Sequence, residues 1–232
     1  MEHVVAKPYK GIGMEGLIAR WYASLTHKSL DEFQALARRV AERLPPESRV
    51  LEVAPGPGYF AIELAKLGSY RVTGLDISRT FVDIARRNAS KSGVEVDFRQ
   101  GDAAAIPFEN ESFDFLLCRA AFKNFTQPVR ALQEMYRVLK PGGRALIIDL
   151  RKDASRESIA AGVHSMGLSK VSALMTRLTF RFVLLKRAYT RPEFEEMLSH
   201  TDFESIKIRE NPIGFELCLQ RATQASAGAH AG

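Results

Sequence analysis

VLEVAPGPGYF, residues 50–60, consists of an apolar strand, a turn with two glycines and the start of a helix. Gly56 and Gly58 lack side chains, so the backbone of this turn can approach a ligand at the carboxyl end of the strand, where open α/β sheets bind ligands. The third glycine of the dinucleotide-binding motif is missing, which disfavours a pyrophosphate site. Glu52, inside the strand, favours a cationic ligand group such as an α-amino group.

Around this turn, strand-like apolar runs alternate with helical patterns as far as Leu150, which is typical of βαβ units in a parallel sheet. The runs are RVLEVA, YRVTGLD, VEVDFRQ, FDFLLC and RALIIDL. Helices are predicted between them at 59–67, 79–91 and 127–139, the last closed by KPGG at 140–143. Two further runs, FESIKIRE and FELCLQR, flank the turn NPIG at 211–214, which predicts a hairpin. We therefore expect an α/β fold with a doubly wound, mostly parallel seven-stranded sheet and an antiparallel last strand.

The remaining segments divide the chain into an N-terminal helical lid (1–44), an α/β core (45–150), a basic helical insertion (151–190), a last helix with two strands (191–221) and a disordered tail (222–232). Helices are predicted in the lid at 14–26 and 30–43, and in the insertion at 154–166 and 168–185. Thr190 is expected to cap the helix that begins at Arg191.

Composition limits the function classes. At 232 residues, with 46% hydrophobic and 26% charged residues, the chain is expected to be one soluble domain. No apolar run approaches the roughly 20 residues needed to cross a bilayer, and the first residues lack a secretory signal, so a cytoplasmic location is expected. Cys118 and Cys218 lie in apolar runs, which predicts buried thiols and no metal site.

Positive charge is concentrated in one segment. Residues 151–191 hold nine basic and two acidic residues, whereas the rest of the chain is close to neutral. This distribution does not indicate a nucleic-acid partner. One interpretation is a lid whose basic residues are solvated. The alternative is that Arg177 and Arg181 meet an anionic substrate or an anionic membrane surface and deliver a lipophilic acceptor. The sequence does not specify an oligomeric state.

Acidic residues also end the second and third predicted strands. Asp76 in GLDIS can accept hydrogen bonds from both hydroxyls of a ribose, and Asp102 in GDA can reach an adenine amine. Each acid alone fits a helix cap or a solvated loop equally well. Together with Glu52 and the glycine turn, however, they describe an adenosine pocket.

The successive segments VLEVAPGPG, LDIS, GDAAAIPFENESFD and MYRVLKPGG resemble the motifs of class I S-adenosylmethionine-dependent methyltransferases, which have a Rossmann-like fold. The resemblance spans 49–150. It implies S-adenosylmethionine as cofactor, S-adenosylhomocysteine as product, and a set of donor-binding residues that hold the methionine, ribose and adenine parts and flank the substrate. These are Glu52, Ala54, Gly56, Gly58, Asp76, Ile77, Ser78, Asp102, Ala103, Cys118 and Arg119.

Two positions depart from the family pattern: Ala54-Pro55 replaces a common Gly-Cys pair, and Lys123-Asn124 replaces two histidines. Within the family, NFTQPVRALQEMYRVLKPGG is similar to the ubiquinone/menaquinone-biosynthesis enzymes. No DPPY-like or NPPY-like tetrapeptide follows FDFLLC, which counts against methylation of nucleic-acid amines or glutamine amides.

The expected function is methyl transfer from S-adenosylmethionine to a small-molecule acceptor, mainly by proximity and orientation. If the nucleophile is a hydroxyl, His27, Tyr22 and His164 are the candidate bases. A surface or capping role is the alternative for His27, and core packing is the alternative to a pocket-lining role for Trp21 and Tyr22. A nicotinamide-dependent oxidoreductase and a noncatalytic S-adenosylmethionine-binding accessory protein are the competing functions.

Overall fold

The computed structural model describes residues 9–10, 13–165 and 184–223. Its centre is a seven-stranded sheet with the order β3-β2-β1-β4-β5-β7-β6. The strands are β1 Arg49–Val53, β2 Arg71–Asp76, β3 Asp97–Gln100, β4 Phe113–Arg119, β5 Leu139–Leu150, β6 Phe203–Glu210 and β7 Gly214–Arg221. β1 to β5 are parallel, and β7 runs antiparallel between β5 and β6. The predicted mostly parallel sheet with an antiparallel last strand is confirmed.

Helices cover both faces of this sheet, as a doubly wound fold requires. They are α1 Gly16–Thr26, α2 Leu30–Ala41, α3 Tyr59–Ala65, α4 Arg79–Ser92, α5 Pro128–Val138, α6 Arg156–Ser165 and α7 Arg191–Ser199. One buried cluster contains Leu51 and Val53 with residues of α5 and α7, and the other contains Val50 with residues of α2, α3 and α4. Neighbouring residues of β1 thus point into opposite layers, as the two-residue period of a strand dictates.

Side-chain hydrogen bonds stabilise the start of α7 and the turn between β6 and β7. The Thr190 hydroxyl accepts a hydrogen bond from the backbone N–H of Glu193, and the Glu193 carboxylate accepts one from the Thr190 N–H. The predicted cap of α7 is thus confirmed as a capping box. In the β6–β7 hairpin, the Asn211 side-chain oxygen accepts from the N–H groups of Ile213 and Gly214. The Asn211 side chain thus takes the place of a backbone carbonyl in the hydrogen bonds of the turn.

Three segments differ from the sequence-based prediction. KPGG at 140–143 does not form a separate turn after the helix but lies inside β5, where Leu139 pairs with Phe113 before the register shifts. A Cβ on Gly143 would lie 2.8 Å from the Lys140 carbonyl oxygen, so this strand needs a glycine there. β3 begins at Asp97, after the start of the predicted run. Most of the predicted helix at 168–185, including Arg177 and Arg181, lies outside the described residues, as does the tail from 224 onward.

Candidate active site

The glycine turn lies at the carboxyl edge of the sheet, between β1 and α3. In the sheet, β2 lies on one side of β1 and β4 on the other, because the chain reverses its direction of winding after β3. The carboxyl end of β1 is therefore the switch point at which open sheets bind ligands. Gly56 has φ +55°, and a Cβ built on it would meet no atom within 4 Å. The turn therefore faces open space that a ligand can fill.

Gly58 and Ala54, the two other residues of the turn with left-handed backbone, have different surroundings. A Cβ on Gly58 would lie 2.6 Å from the Phe98 ring and 2.9 Å from the Ala85 Cβ, so Gly58 allows α3 and α4 to pack closely on the sheet. Ala54 also has a positive φ of 56° although it carries a side chain. A non-glycine residue in this region carries a strain of about 1–2 kcal/mol. The departure of Ala54 from the family pattern thus has a structural cost.

Asp76 ends β2 beside this turn and is buried. Its Oδ2 accepts from the Gly56 N–H at 2.9 Å, and its Oδ1 accepts from the Ser78 N–H at 2.9 Å. Burial raises the pKa of Asp76 to about 6, against the lowering effect of these backbone donors. Each carboxylate oxygen has a second lone pair, so the group can still accept the two ribose hydroxyls.

Glu52 lies on β1 with its side chain towards α3, where it accepts from the Ala61 N–H at 3.1 Å. It is buried and forms no ion pair among the described residues. Burial raises the pKa of Glu52 to about 8, and the more distant positive charge of Arg119 only partly offsets this. A cationic ligand group beside Glu52 would favour its ionised form, so binding of such a group would lower this pKa again; that Glu52 binds one stays a prediction.

Asp102, the third predicted acid, is less buried than Glu52 and Asp76. Asp102 is half-buried after β3, and its Oδ1 accepts from the Ala104 N–H at 2.9 Å, so it stabilises its own turn. Ala103 beside it is buried. An adenine-binding role for this pair stays a prediction.

The β2–α4 turn joins the site to the N-terminal segment. The Ser78 hydroxyl accepts from the Phe81 N–H as the N-cap of α4 and donates to the Met14 carbonyl at 2.6 Å. Glu15 accepts from the backbone N–H groups of Arg79 and Thr80, both at 3.0 Å. The carbonyl of Ile77, also predicted to bind the donor, accepts from the Gln100 side chain. The segment before α1 is thereby fixed beside Asp76, and no sequence pattern predicts the contact of Glu15.

At the end of β4, Cys118 is fully buried in the core, and burial raises the pKa of its thiol well above the ordinary value. Its side chain is therefore a core group. Arg119 forms an ion pair with Glu32 at 2.8 Å and lies 4.4 Å over the Phe33 ring. Of the two residues predicted to flank donor and substrate, only Arg119 carries a polar side chain towards this edge.

A buried ion pair joins the ends of β4 and β5. The Lys123 ammonium donates to Asp149 Oδ1 at 3.0 Å and to the Ala120 carbonyl, and the Lys123 N–H donates to Asp149 Oδ2. The adjacent Asn124 Oδ1 is the one buried side-chain oxygen or nitrogen without a hydrogen-bond partner in the described part of the chain. The only sequence signal for this cluster is that Lys123-Asn124 departs from the family pattern.

The candidate bases lie in different surroundings. Tyr22 is largely enclosed, and burial raises its pKa, with Arg119 opposing and the carboxylates of Asp149 and Asp76 adding to the rise. His27 is exposed on the short helix after α1 and packs edge-on against Tyr59 at 5.6 Å. His164 is exposed on α6. Tyr22 is therefore the candidate that the fold brings into electrostatic reach of two strand ends.

Trp21 contradicts the core-packing interpretation, because its side chain is 65% exposed; its pocket-lining role stays a prediction. The physical reason is that α1 packs its alanines, Ala19 and Ala23, against Phe81 and Ile84 of α4. Among the described residues, no helix has the length and apolar character to cross a bilayer, and no cluster of three or more metal-ligand side chains occurs.

Comparison with known proteins agrees with this geometry. The profile described as "Methyltransferase domain" matches residues 51–147. A demethylmenaquinone methyltransferase of Chlorobaculum tepidum is 30% identical over 179 residues, which cover 75% of this chain and 72% of that protein. The corresponding protein of Deinococcus radiodurans is 39% identical over 108 residues, 46% of this chain and 45% of its own length. The chain thus spans about half the length of this second relative.

Solved structures share the fold at lower identity. A protein of Methanococcus maripaludis assigned to the S-adenosylmethionine-dependent methyltransferases has a TM-score of 0.71 and 21% identity, with 92% of this chain and 96% of that chain covered. The [4+2]-cyclase SpnF has a TM-score of 0.55 and 21% identity, with 82% and 81% covered. The chain belongs to the class I S-adenosylmethionine-dependent methyltransferases and is related to the ubiquinone/menaquinone-biosynthesis enzymes.

The residues present fit the cofactor that this family implies, S-adenosylmethionine. Open space at Gly56 admits a ligand to the turn, the buried carboxyl of Glu52 lacks a cation, and Asp76 has free lone pairs at the neighbouring strand end. These three features match an amino group and a ribose. In contrast, Gly58 and Ser78 already have structural roles in packing and capping, so their contact with the donor remains a prediction.

Proposed function

We propose that this protein transfers a methyl group from S-adenosylmethionine to a quinone-type small-molecule acceptor. The observation that carries the proposal is the open space at Gly56, whose N–H donates to the buried carboxyl of Asp76 and which follows the strand that carries the buried Glu52. Glu52 would hold the α-amino group of the donor and Asp76 its ribose. The acceptor class is suggested by the relatives, which are demethylmenaquinone methyltransferases by name.

When bound, S-adenosylmethionine supplies an electrophilic methyl group that needs little further activation. The protein's part is then to hold the two reactants in line and to exclude water. Arg119 at the end of β4 and Tyr22 from α1, whose pKa is influenced by the charge of Arg119, would be the polar side chains that meet the acceptor. A tyrosine hydroxyl is protonated at neutral pH, and burial raises the pKa of Tyr22 further, so this hydroxyl would orient an acceptor oxygen by donating a hydrogen bond.

The test has two stages, since the fold alone also occurs in a cyclase. Calorimetric titration with S-adenosylmethionine and with NADH first separates a methyl-donor site from a nicotinamide site. Release of S-adenosylhomocysteine is then measured with a panel of quinols, phenols, thiols and amines. Donor binding with turnover of a quinol supports the proposal. NADH binding in place of the donor, or donor binding without turnover of any acceptor, contradicts it.

A substitution at the turn tests whether the open space is the donor site. Gly56→Val should weaken donor binding by at least tenfold, because the side chain would enter the space and a branched residue disfavours positive φ. Gly93→Ala, another left-handed glycine with no neighbour within 4 Å, is the matched control for backbone strain and lies at the end of α4. Equal donor affinity in the wild type and in folded Gly56→Val would remove the turn from the site.

A further inference from the structure

Helix α1 is oriented with its small residues inward and its large apolar residues outward. Ala19 and Ala23 are the buried residues of this helix, and they lie one turn apart. The opposite side holds four large apolar side chains: Leu17 is 79% exposed, Ile18 44%, Trp21 65% and Leu25 43%. A surface helix of a globular protein ordinarily buries this stripe, so an exposed one indicates an interaction surface.

This exposure is not the result of a loosely attached helix. Glu15 and Met14, just before α1, form the hydrogen bonds to the first turn of α4 and to Ser78 described above. The Tyr59 hydroxyl donates to the Ala23 carbonyl at 2.9 Å, and Tyr22 packs edge-on against Phe81. The helix is thus held at both ends with its apolar stripe turned outward.

The charges around the stripe determine which partner fits. From Gly16 to Ser29 the chain contains Arg20 and Lys28, both exposed, and no acidic residue. A helix with Trp and Leu on one side and basic residues at its border has the composition of helices that lie in the interface of an anionic bilayer. The aliphatic part of a Lys or Arg side chain can follow the apolar surface while its charge stays at the headgroups.

We propose that the exposed stripe of α1, formed by Leu17, Ile18, Trp21 and Leu25, docks this protein on the surface of an anionic lipid bilayer. Docking itself does not require methyl transfer, but its role in delivering an acceptor rests on the proposed function. Because α1 is fixed beside the β2–α4 turn, the docked stripe places the carboxyl edge of the sheet next to the bilayer. A lipophilic acceptor can then enter the site from the bilayer.

Trp21 provides a direct probe, because it is the only tryptophan of the chain. Its fluorescence is measured during titration with vesicles of phosphatidylcholine containing phosphatidylglycerol and with vesicles of phosphatidylcholine alone, at low and at moderate salt. We expect a blue shift and quenching by brominated lipid with the anionic vesicles, weaker at higher salt because headgroup contacts are screened. Emission that anionic vesicles leave unchanged would overturn the proposal.

Sedimentation with the same vesicles tests the stripe without using fluorescence. Leu17→Asp should weaken vesicle binding by about tenfold or more, since it removes one apolar anchor and adds a repelled charge. Ile206→Asp is the matched control, because Ile206 is also exposed (41%) but lies on the edge strand β6. Its vesicle binding should equal that of the wild type. Equal loss in both variants, or no loss in Leu17→Asp, contradicts the assignment to α1.

Two other occupants of the stripe would give different results. A second copy of this chain would make Trp21 emission blue-shifted and dependent on protein concentration without lipid, and a segment of the same chain would make it blue-shifted at every concentration. Either result overturns the proposal. Vesicle binding is measured without donor or acceptor, so a protein that binds vesicles but not S-adenosylmethionine contradicts only the proposed function, and the reverse contradicts only the docking.

Discussion

Two buried carboxyl groups at the carboxyl edge of the sheet have opposite surroundings. Asp149 on β5 accepts from the Lys123 ammonium, the Lys123 N–H and the Leu150 N–H. Glu52 on β1 accepts from one backbone N–H and has no cation in contact within the part of the chain that the structure describes. Burial of a charge without a partner is costly, so proteins normally pair such groups. The comparison shows that the charge of Asp149 is balanced by Lys123, whereas Glu52 has no positive charge beside it among the described residues, and a ligand can supply one.

Breaking the completed pair should have the largest effect. Lys123→Met leaves Asp149 buried without its cation, and we expect the free energy of unfolding to fall by about 3–5 kcal/mol. Denaturant unfolding measures it. The double variant Lys123→Met/Asp149→Leu removes both charges and should recover most of that loss. A single variant as stable as the wild type would show that the pair is not desolvated.

The contribution of Glu52 to the free energy of unfolding should decrease as pH rises, opposite to that of a carboxylate paired with a cation. Its pKa in the folded protein is about 8, above the unfolded value of 4.5, so the folded state holds the extra proton. The stability that this proton provides is complete below about pH 4.5 and is lost as pH rises through 8. The free energy of unfolding of the wild type should therefore decrease relative to that of Glu52→Gln by about 2–4 kcal/mol over this range.

Unfolding curves of both proteins at pH 4.5, 6 and 8 measure this difference. S-adenosylmethionine should reduce it in the wild type, because the cationic amino group favours the ionised carboxylate. If the difference in free energy of unfolding between the wild type and Glu52→Gln is constant with pH, Glu52 is ionised in the free protein. This result would contradict the interpretation that Glu52 becomes ionised when it binds a cationic ligand group.

Asp76 should affect donor binding more than folding. Asp76→Ala removes the charged acceptor of the ribose hydroxyls, and we expect donor binding to weaken by about 1–3 kcal/mol. Because the pKa of Asp76 is about 6, donor affinity of the wild type should also fall as pH decreases below 6, whereas that of Asp76→Ala should not follow this profile. Calorimetric titration between pH 5 and 8 measures both effects. Asp102→Ala, at the half-buried third acid, should lose less affinity.

Much of the fold was predictable because strand alternation and turn residues are local signals. The apolar runs predicted all seven strands, and NPIG predicted the hairpin that makes β7 antiparallel. The acids of the site were predictable because Glu52 lies in the first motif and Asp76 ends a strand. The Lys123–Asp149 pair was not, because the two residues are 26 positions apart and meet only when β4 pairs with β5.

The orientation of α1 could not be predicted from the sequence either. Helical periodicity identifies an apolar stripe but not the side that the protein covers, and here the fold covers the side of Ala19 and Ala23. The core-packing interpretation of Trp21 was wrong for this reason. Likewise, Glu15 caps a helix that begins 64 residues further along the chain, a contact with no local signal.

The smallest effect is expected at Ala54, one position from the strand that carries Glu52. Its left-handed backbone costs about 1–2 kcal/mol for a residue with a side chain. Ala54→Gly removes this strain but adds about 0.5–1 kcal/mol of backbone entropy to the unfolded chain. The free energy of unfolding should therefore rise by about 1 kcal/mol or less, as measured by denaturant unfolding. Ala61→Gly, in the regular helix α3, lacks the strain and should only destabilise. If both variants lose stability equally, the turn is not strained, and the β1 side of the sheet differs from the β4–β5 side in charge alone.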